Sequence, residues 1–157
     1  MKKKDRRLLF ELMKDSKRSD RELAKVLGVS QPTVTRNRSR LVKEGVIREF
    51  TVMPDFVKMG YEIMAISLLK TRNPLNDLEG TKSCSNMIFL AEGMGLGKDT
   101  VMISLHKDYA EYSRFVTEHR MRWGETLKDY ESMIVSLKGT IVKPFSLKYL
   151  AEEQSED

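Results

Sequence analysis

Residues 19–45 read SDRELAKVLGVSQPTVTRNRSRLVKEG, and this stretch decides the first third of the molecule. Ser19 followed three residues later by Glu22 is the capping-box pattern: the hydroxyl accepts from the amide of Glu22 and the carboxylate reaches back. Leu23, Ala24, Val26 and Leu27 give the ensuing helix an apolar face, and Gly28 supplies a left-handed residue to end it. Only Val29 separates that glycine from Ser30, the next cap, and Pro32 lies in the first turn, where a missing amide costs nothing. The next helix runs to about Glu44 and stops at Gly45. Residues 30–43 hold three arginines and one lysine and no acidic residue. A solvated helical face ordinarily mixes both signs, so either this helix meets an anion or it is an ordinary basic surface helix.

Its neighbours support the first reading. Leu8, Leu9, Leu12 and Met13 recur at helical spacing across 5–14, so one more helix precedes the capped one. VIREFTV (46–52) alternates apolar and polar residues as a short strand, a wing, which Pro54 ends. Helix, glycine turn, then a polar and basic helix is the helix-turn-helix layout. At about 100° per residue, Val34 and Leu41 share the core side of the last helix, whereas Arg36, Ser39 and Lys43 project opposite, flanked by Thr33, Thr35 and Arg40. Arg38 points nearer Val34, so its stem is expected along the core edge with its guanidinium reaching a phosphate. Gln31, Arg36 and Arg40 suit base edges in a major groove, where Arg donates twice to guanine and Gln pairs with adenine. Ser30, Thr33, Thr35, Arg38 and Lys43 are assigned to backbone or base-edge contacts.

Charge is distributed to match. Residues 1–50 carry 15 Lys and Arg against 7 Asp and Glu, while the remaining residues carry 13 against 16. A basic first third on a slightly acidic remainder indicates that one part meets a polyanion and the other does not. No apolar run approaches the roughly 20 residues needed to span a bilayer, and the basic start MKKKDRR lacks the cleavage site of a secretory signal. Cys84 is the sole cysteine of the 157 residues, which excludes a disulfide framework and points to a reducing cytoplasm.

The second half changes period. YEIMAISLLKT (61–71), MIFLAE (87–92), TVMISLHK (100–107) and YESMIVSL (130–137) are strand-like. A short helix begins at Asn73-Pro74 and is cut by Gly80. A longer one spans 108–123, with Tyr112, Phe115, Val116 and His119 on one side and Gly124 as its stop. IVKPFSLKYL holds a last strand or turn before an acidic tail. The order βαββαβ is that of a ferredoxin-like domain. The expectation is an α+β chain: a winged helix-turn-helix at 1–54, a linker at 55–60, a ferredoxin-like oligomerisation and effector domain at 61–150, and an acidic tail at 151–157.

The first 60 or so residues closely resemble the DNA-binding domain and linker of the Lrp/AsnC, or feast/famine, transcription regulators. The resemblance rests on Asp5 with Leu8-Leu9 and Leu12, Glu22-Leu23-Ala24, Gly28-Val29-Ser30 and Thr33-Val34. It continues through Arg40-Leu41, Glu44-Gly45-Val46-Ile47 and Lys58-Met59-Gly60-Tyr61, and extends over the rest by element order. It implies that the third helix reads double-stranded DNA and that the second domain pairs chains into homodimers or larger rings. It also implies that a small effector such as an amino acid binds between subunits. Two departures stand out. Arg38 replaces the family's usual aliphatic residue, and the hairpin carrying a short Gly-to-Asp effector motif is stretched here to 93–99, which makes Gly93, Gly95, Gly97 and Asp99 the effector candidates.

Other constellations carry less. In GMGLGKDT three residues separate Gly93 from Gly97 and Asp99 follows Lys98, which fails the phosphate-binding loop and the dinucleotide fingerprint. His106, His119 and Cys84 lack metal-ligand spacing, and His119 lies on the apolar side of its helix. No nucleophile with a recognisable base and no carboxylate pair in a motif marks a catalytic site, so neither cofactor, metal nor enzymatic activity is expected. The competing reading is an enzyme or ligand-binding protein on the same two-domain fold without DNA binding, as in the siroheme-decarboxylase branch. The outward basic face of the third helix is the feature such a protein need not keep.

Overall fold

A computed structural model describes residues 1–72 and 84–152. The chain forms two compact units, one of Met1–Met53 with Lys143–Asp157 and one of Pro54–Val142. The first unit opens with three helices, α1 (Lys3–Lys14), α2 (Asp20–Leu27) and α3 (Gln31–Lys43). The reciprocal Ser19–Glu22 capping box forms as the sequence requires, and Gly28 closes α2 at φ 66°. Leu8, Leu12, Leu23, Ala24, Val34, Leu41 and Ile47 build one apolar core. The core therefore takes the inward stripes of all three helices.

No wing strand forms at 46–52 among the described residues. The amides of Val46 and Ile47 both donate to the Leu41 carbonyl, at 2.9 and 3.1 Å, closing the end of α3 around Gly45. Ile47 then turns into the core, and Phe50 and Val52 are exposed. The alternation in VIREFTV is real, but a strand exists only with a ladder partner, and the first amides here are spent on a helix terminus.

The end of the chain also differs from expectation. Residues 143–150 were grouped by sequence with the sheet, yet they belong to the first compact unit. A short helix α5 (Lys148–Glu152) replaces the expected strand or turn and packs on α1, with Ala151 1% exposed.

The second unit carries β1 (Ile63–Thr71), β2 (Met87–Gly95), β3 (Lys98–His106), α4 (Tyr109–Trp123) and β4 (Leu127–Ser136). The strands form one antiparallel sheet in the order β2-β3-β1-β4, the ferredoxin-like arrangement. The short helix expected after Asn73 lies outside the described residues. The expected linker is an ordered turn: Asp55 accepts from the Lys58 amide at 3.1 Å, and Tyr61 donates to the Phe56 carbonyl at 2.9 Å.

One sheet face is covered. Leu69, Met102, Phe115, Trp123 and Tyr130 pack together beneath α4. Strand alternation sends the neighbours of Leu69 and Met102 to the other face. There Ile66 lies between Ile103 and Met133, and Leu68 lies beside Val101. Met133 is 68% exposed and Phe89 49%, so apolar side chains occupy a face that no element of this unit covers.

Candidate nucleic-acid interface

The geometry of α3 divides its side chains into three groups. Val34 and Leu41 are buried in the core. Gln31, Thr35, Ser39 and Lys43, spaced by four, form an exposed row with Arg36 beside it. Among the described residues the side chains of Gln31, Arg36, Ser39 and Lys43 make no hydrogen bond or ion pair within the chain. Ser30 caps the helix only through its backbone position, and its hydroxyl instead meets that of Thr33 at 2.8 Å. The Thr33 and Val34 amides donate to the Ser30 carbonyl, at 3.0 and 3.2 Å, and Pro32 has no amide, so side chains rather than backbone donors dominate the start of α3.

The third group is tied to the rest of the unit. The Arg40 guanidinium donates to Asp5 at 2.5 Å and to Glu44 at 2.9 Å. Asp5 is 3% exposed, so Arg40 neutralises a carboxylate that α1 buries. The hydrogen bonds that Arg40 donates to Asp5 and Glu44 raise its pKa further above its already high value. Arg38 donates to Asp20 at 2.8 Å and lies over the Phe50 ring at 5.4 Å, with its Nε buried and unpartnered. Thr35 donates to the other Asp20 oxygen at 2.6 Å.

Two residues expected at DNA have internal partners: Arg40, expected at base edges, pairs with Asp5 and Glu44, and Arg38, expected at a phosphate, pairs with Asp20. Sequence spacing missed the partners because Asp5 and Asp20 stand 35 and 18 positions away. The lone acid among the basic residues of α1's first turn was the available signal for the first pair. Among the described residues, Arg36 and Lys43 remain as the cations of α3 with no ion-pair partner.

The hairpin candidates have local explanations. Leu96 and Gly97 both have positive φ, 52° and 72°, and join Gly95 to Lys98 as a two-residue turn of the mirror type that fits strand twist. β2 therefore reaches Gly95 rather than ending at Glu92, with a register shift between those residues. Asp99 accepts from the Thr71 amide and the Thr100 hydroxyl, each at 3.1 Å, and pairs with Lys70 at 3.0 Å. Desolvation pushes the Asp99 carboxyl up, but Lys70, the Thr71 amide and Thr100 outweigh it and hold the pKa below the ordinary value.

Both histidines are packed. His106 is fully buried between Tyr112 and Phe115, and His119 stacks between Phe115 and Trp123. Cys84 comes within 3.5 Å of His119 Nε2, a pairing the sequence separation concealed. Among the described residues no cluster of three His, Cys, Asp or Glu side chains assembles, and no helix is long and apolar enough to cross a membrane.

The fold and the outward face of α3 together define a helix-turn-helix regulator carried on a ferredoxin-like sheet. Residues 1–48 match the family model described as winged helix-turn-helix DNA-binding. The chain is 30% identical over 148 residues to PH0061, an HTH-type transcriptional regulator of Pyrococcus horikoshii, covering 88% of this chain and 93% of that one. The crystal structure of PH0061 superposes with a TM-score of 0.81 at 24% identity, covering 94% and 97% of the two chains. An AsnC family transcriptional regulator from Agrobacterium tumefaciens gives 0.76 at 21% identity, covering 96% of this chain and 99% of that one. The Neisseria meningitidis regulator NMB0573, solved as a complex with L-Met, gives 0.77 at 16% identity with the same coverage. This chain belongs to the Lrp/AsnC family of transcription regulators, which act by binding DNA rather than by catalysing a reaction.

Proposed function

We propose that the protein is a sequence-specific DNA-binding regulator that inserts α3 into the major groove as a homodimer. Gln31 and Arg36 meet base edges, Ser39 and Lys43 meet edges or backbone, and Ser30 and Thr33 lie near a phosphate at the helix start. Arg38 and Arg40 hold α3 in place from behind. The observation that carries this reading is the exposed row of Gln31, Thr35, Ser39 and Lys43 with Arg36, polar or cationic throughout and almost free of internal partners. A surface helix with nothing to bind has no reason to leave its cations unpaired while satisfying those at its back.

The open sheet face around Ile66, Ile103 and Met133 supports pairing of two copies, since an apolar face of this kind marks an interaction surface. Two α3 helices about a twofold axis require a pseudo-palindromic site with half-sites about one turn, or a multiple, apart. The Neisseria neighbour's complex with L-Met supports an amino-acid-like effector. The hairpin of Gly93, Gly95, Gly97 and Asp99 is its proposed location. A ligand ammonium there competes with Lys70 for the Asp99 carboxylate.

Selection of bound sequences from random duplex DNA, with and without an amino-acid mixture, tests these points together. The expected product is an inverted repeat whose enrichment shifts when the effector is present. Recovery of unrelated sequences contradicts sequence-specific reading, and recovery of single half-sites contradicts the dimer.

A further inference from the structure

The two oxygens of Asp20 are shared between two side chains of α3. Oδ1 accepts from Arg38 at 2.8 Å and Oδ2 accepts from the Thr35 hydroxyl at 2.6 Å. The Asp20 and Arg38 side chains are only 18% and 25% exposed, so solvent competes weakly for this pair. The Phe50 ring lies against the same guanidinium, which fixes the carboxylate from behind. Thr35 itself is exposed and stands between Gln31 and Ser39 in the row that faces outward.

A hydroxyl has one proton and two acceptor lone pairs. The alternative acceptor for Thr35 is the Gln31 carbonyl at 3.2 Å, longer and uncharged. Hydrogen bonds to a carboxylate are shorter and roughly twice as strong as neutral ones, so the Thr35 proton goes to Asp20. Toward the groove the hydroxyl therefore offers lone pairs and no donor. In the major groove adenine N6 and cytosine N4 present donors, whereas guanine presents only the acceptors N7 and O6.

We propose that Asp20, a residue of α2 that itself faces no base, sets DNA specificity by making Thr35 an obligate acceptor, so that the base opposite Thr35 is read as adenine or cytosine and guanine is rejected. This rests on the reading of α3 as the groove helix. Arg38 takes a positioning role in the same device, since it holds the carboxylate at the angle that captures the Thr35 proton.

The test uses the full-length chain and selection from random duplex DNA, followed by competition with duplexes changed at one position. Thr35→Val keeps the side-chain shape and removes the oxygen, so it identifies the position that Thr35 reads. At that position the wild type is expected to disfavour guanine by about five- to tenfold, the lower end of a mismatch penalty. Thr35→Val is expected to flatten that preference. Asp20→Asn, whose amide can donate to the hydroxyl and free its proton, is expected to admit guanine there while other positions keep their preferences. Enrichment of guanine by the wild type at the position flattened in Thr35→Val overturns the proposal without any change to Asp20. An Asp20→Asn protein of normal melting temperature that keeps the wild-type profile also overturns it. Failure of the wild type to enrich any sequence is a separate outcome, and it removes the groove-helix reading itself.

Discussion

Arg36 and Arg40 lie one helical turn apart on the same basic helix, and the structure gives them opposite occupations. Among the described residues Arg36 has no hydrogen-bond or ion-pair partner, so Arg36→Ala removes no such contact from the folded state. Surface substitutions of this kind stay within about 0.5 kcal/mol of wild-type stability. If its guanidinium makes a bidentate contact to guanine, the loss on binding is about 1–3 kcal/mol. That is a weakening of roughly five- to 150-fold at 1.36 kcal/mol per decade. Arg40→Ala leaves the carboxylate of Asp5, 3% exposed, without its cation. Removing one partner of a buried pair leaves a charge with no compensation. Its melting temperature is therefore expected to fall, with sequence preference unchanged among molecules that remain folded. Thermal melts read the first property, and fluorescence anisotropy on matched and mismatched duplexes reads the second. An Arg36→Ala protein that melts early but binds normally, or an Arg40→Ala protein of unaltered melting temperature, refutes the division of labour.

Two further outcomes are expected. Met133 is 68% exposed on the open sheet face, so Met133→Glu should leave the monomer's fold intact while shifting sedimentation from dimer to monomer; a variant that stays dimeric places the interface elsewhere. Burial holds His106 and His119 below the ordinary value of 6.5. For His106, Glu111 opposes that effect and His119 adds to it; for His119, the Phe115 carbonyl and Glu118 oppose and Arg122 adds. Below 6.5 the unfolded chain then binds more protons than the native one, so stability to urea should fall as pH drops from about 7 to 5.5. His106→Gln should flatten the slope, and a midpoint independent of pH would sink the assignment.

Local chemistry was legible where it is local. The Ser19–Glu22 box, Gly28 and Pro32 specify their own backbone geometry, and the stripes of Leu23, Val34 and Leu41 specify what faces inward. The apolar, strand-like runs placed the strands of the sheet, and element order placed them in a ferredoxin-like domain. Three features were not legible, each for want of a distant partner. VIREFTV alternates like a strand, but nothing in seven residues reveals that Val46 and Ile47 donate to Leu41. The basic run of α3 shows its cations and hides Asp5 and Asp20, which claim two of them. The last residues look like an appendage to the sheet until Ala151 meets α1. At the hairpin, the glycines suggested a ligand loop, and the two-residue turn with positive φ at Leu96 and Gly97 adds a backbone reason for Gly97 that the sequence did not display.

The central claim is that the row through Gln31, Thr35, Ser39 and Lys43 lies against DNA. Photo-crosslinking from a benzophenone amino acid placed at position 39 of the full-length chain tests it most directly, with position 133 on the sheet face as the control. The expected result is covalent capture of duplex bases from position 39 and none from position 133. Capture from position 133 with none from position 39 would contradict the account.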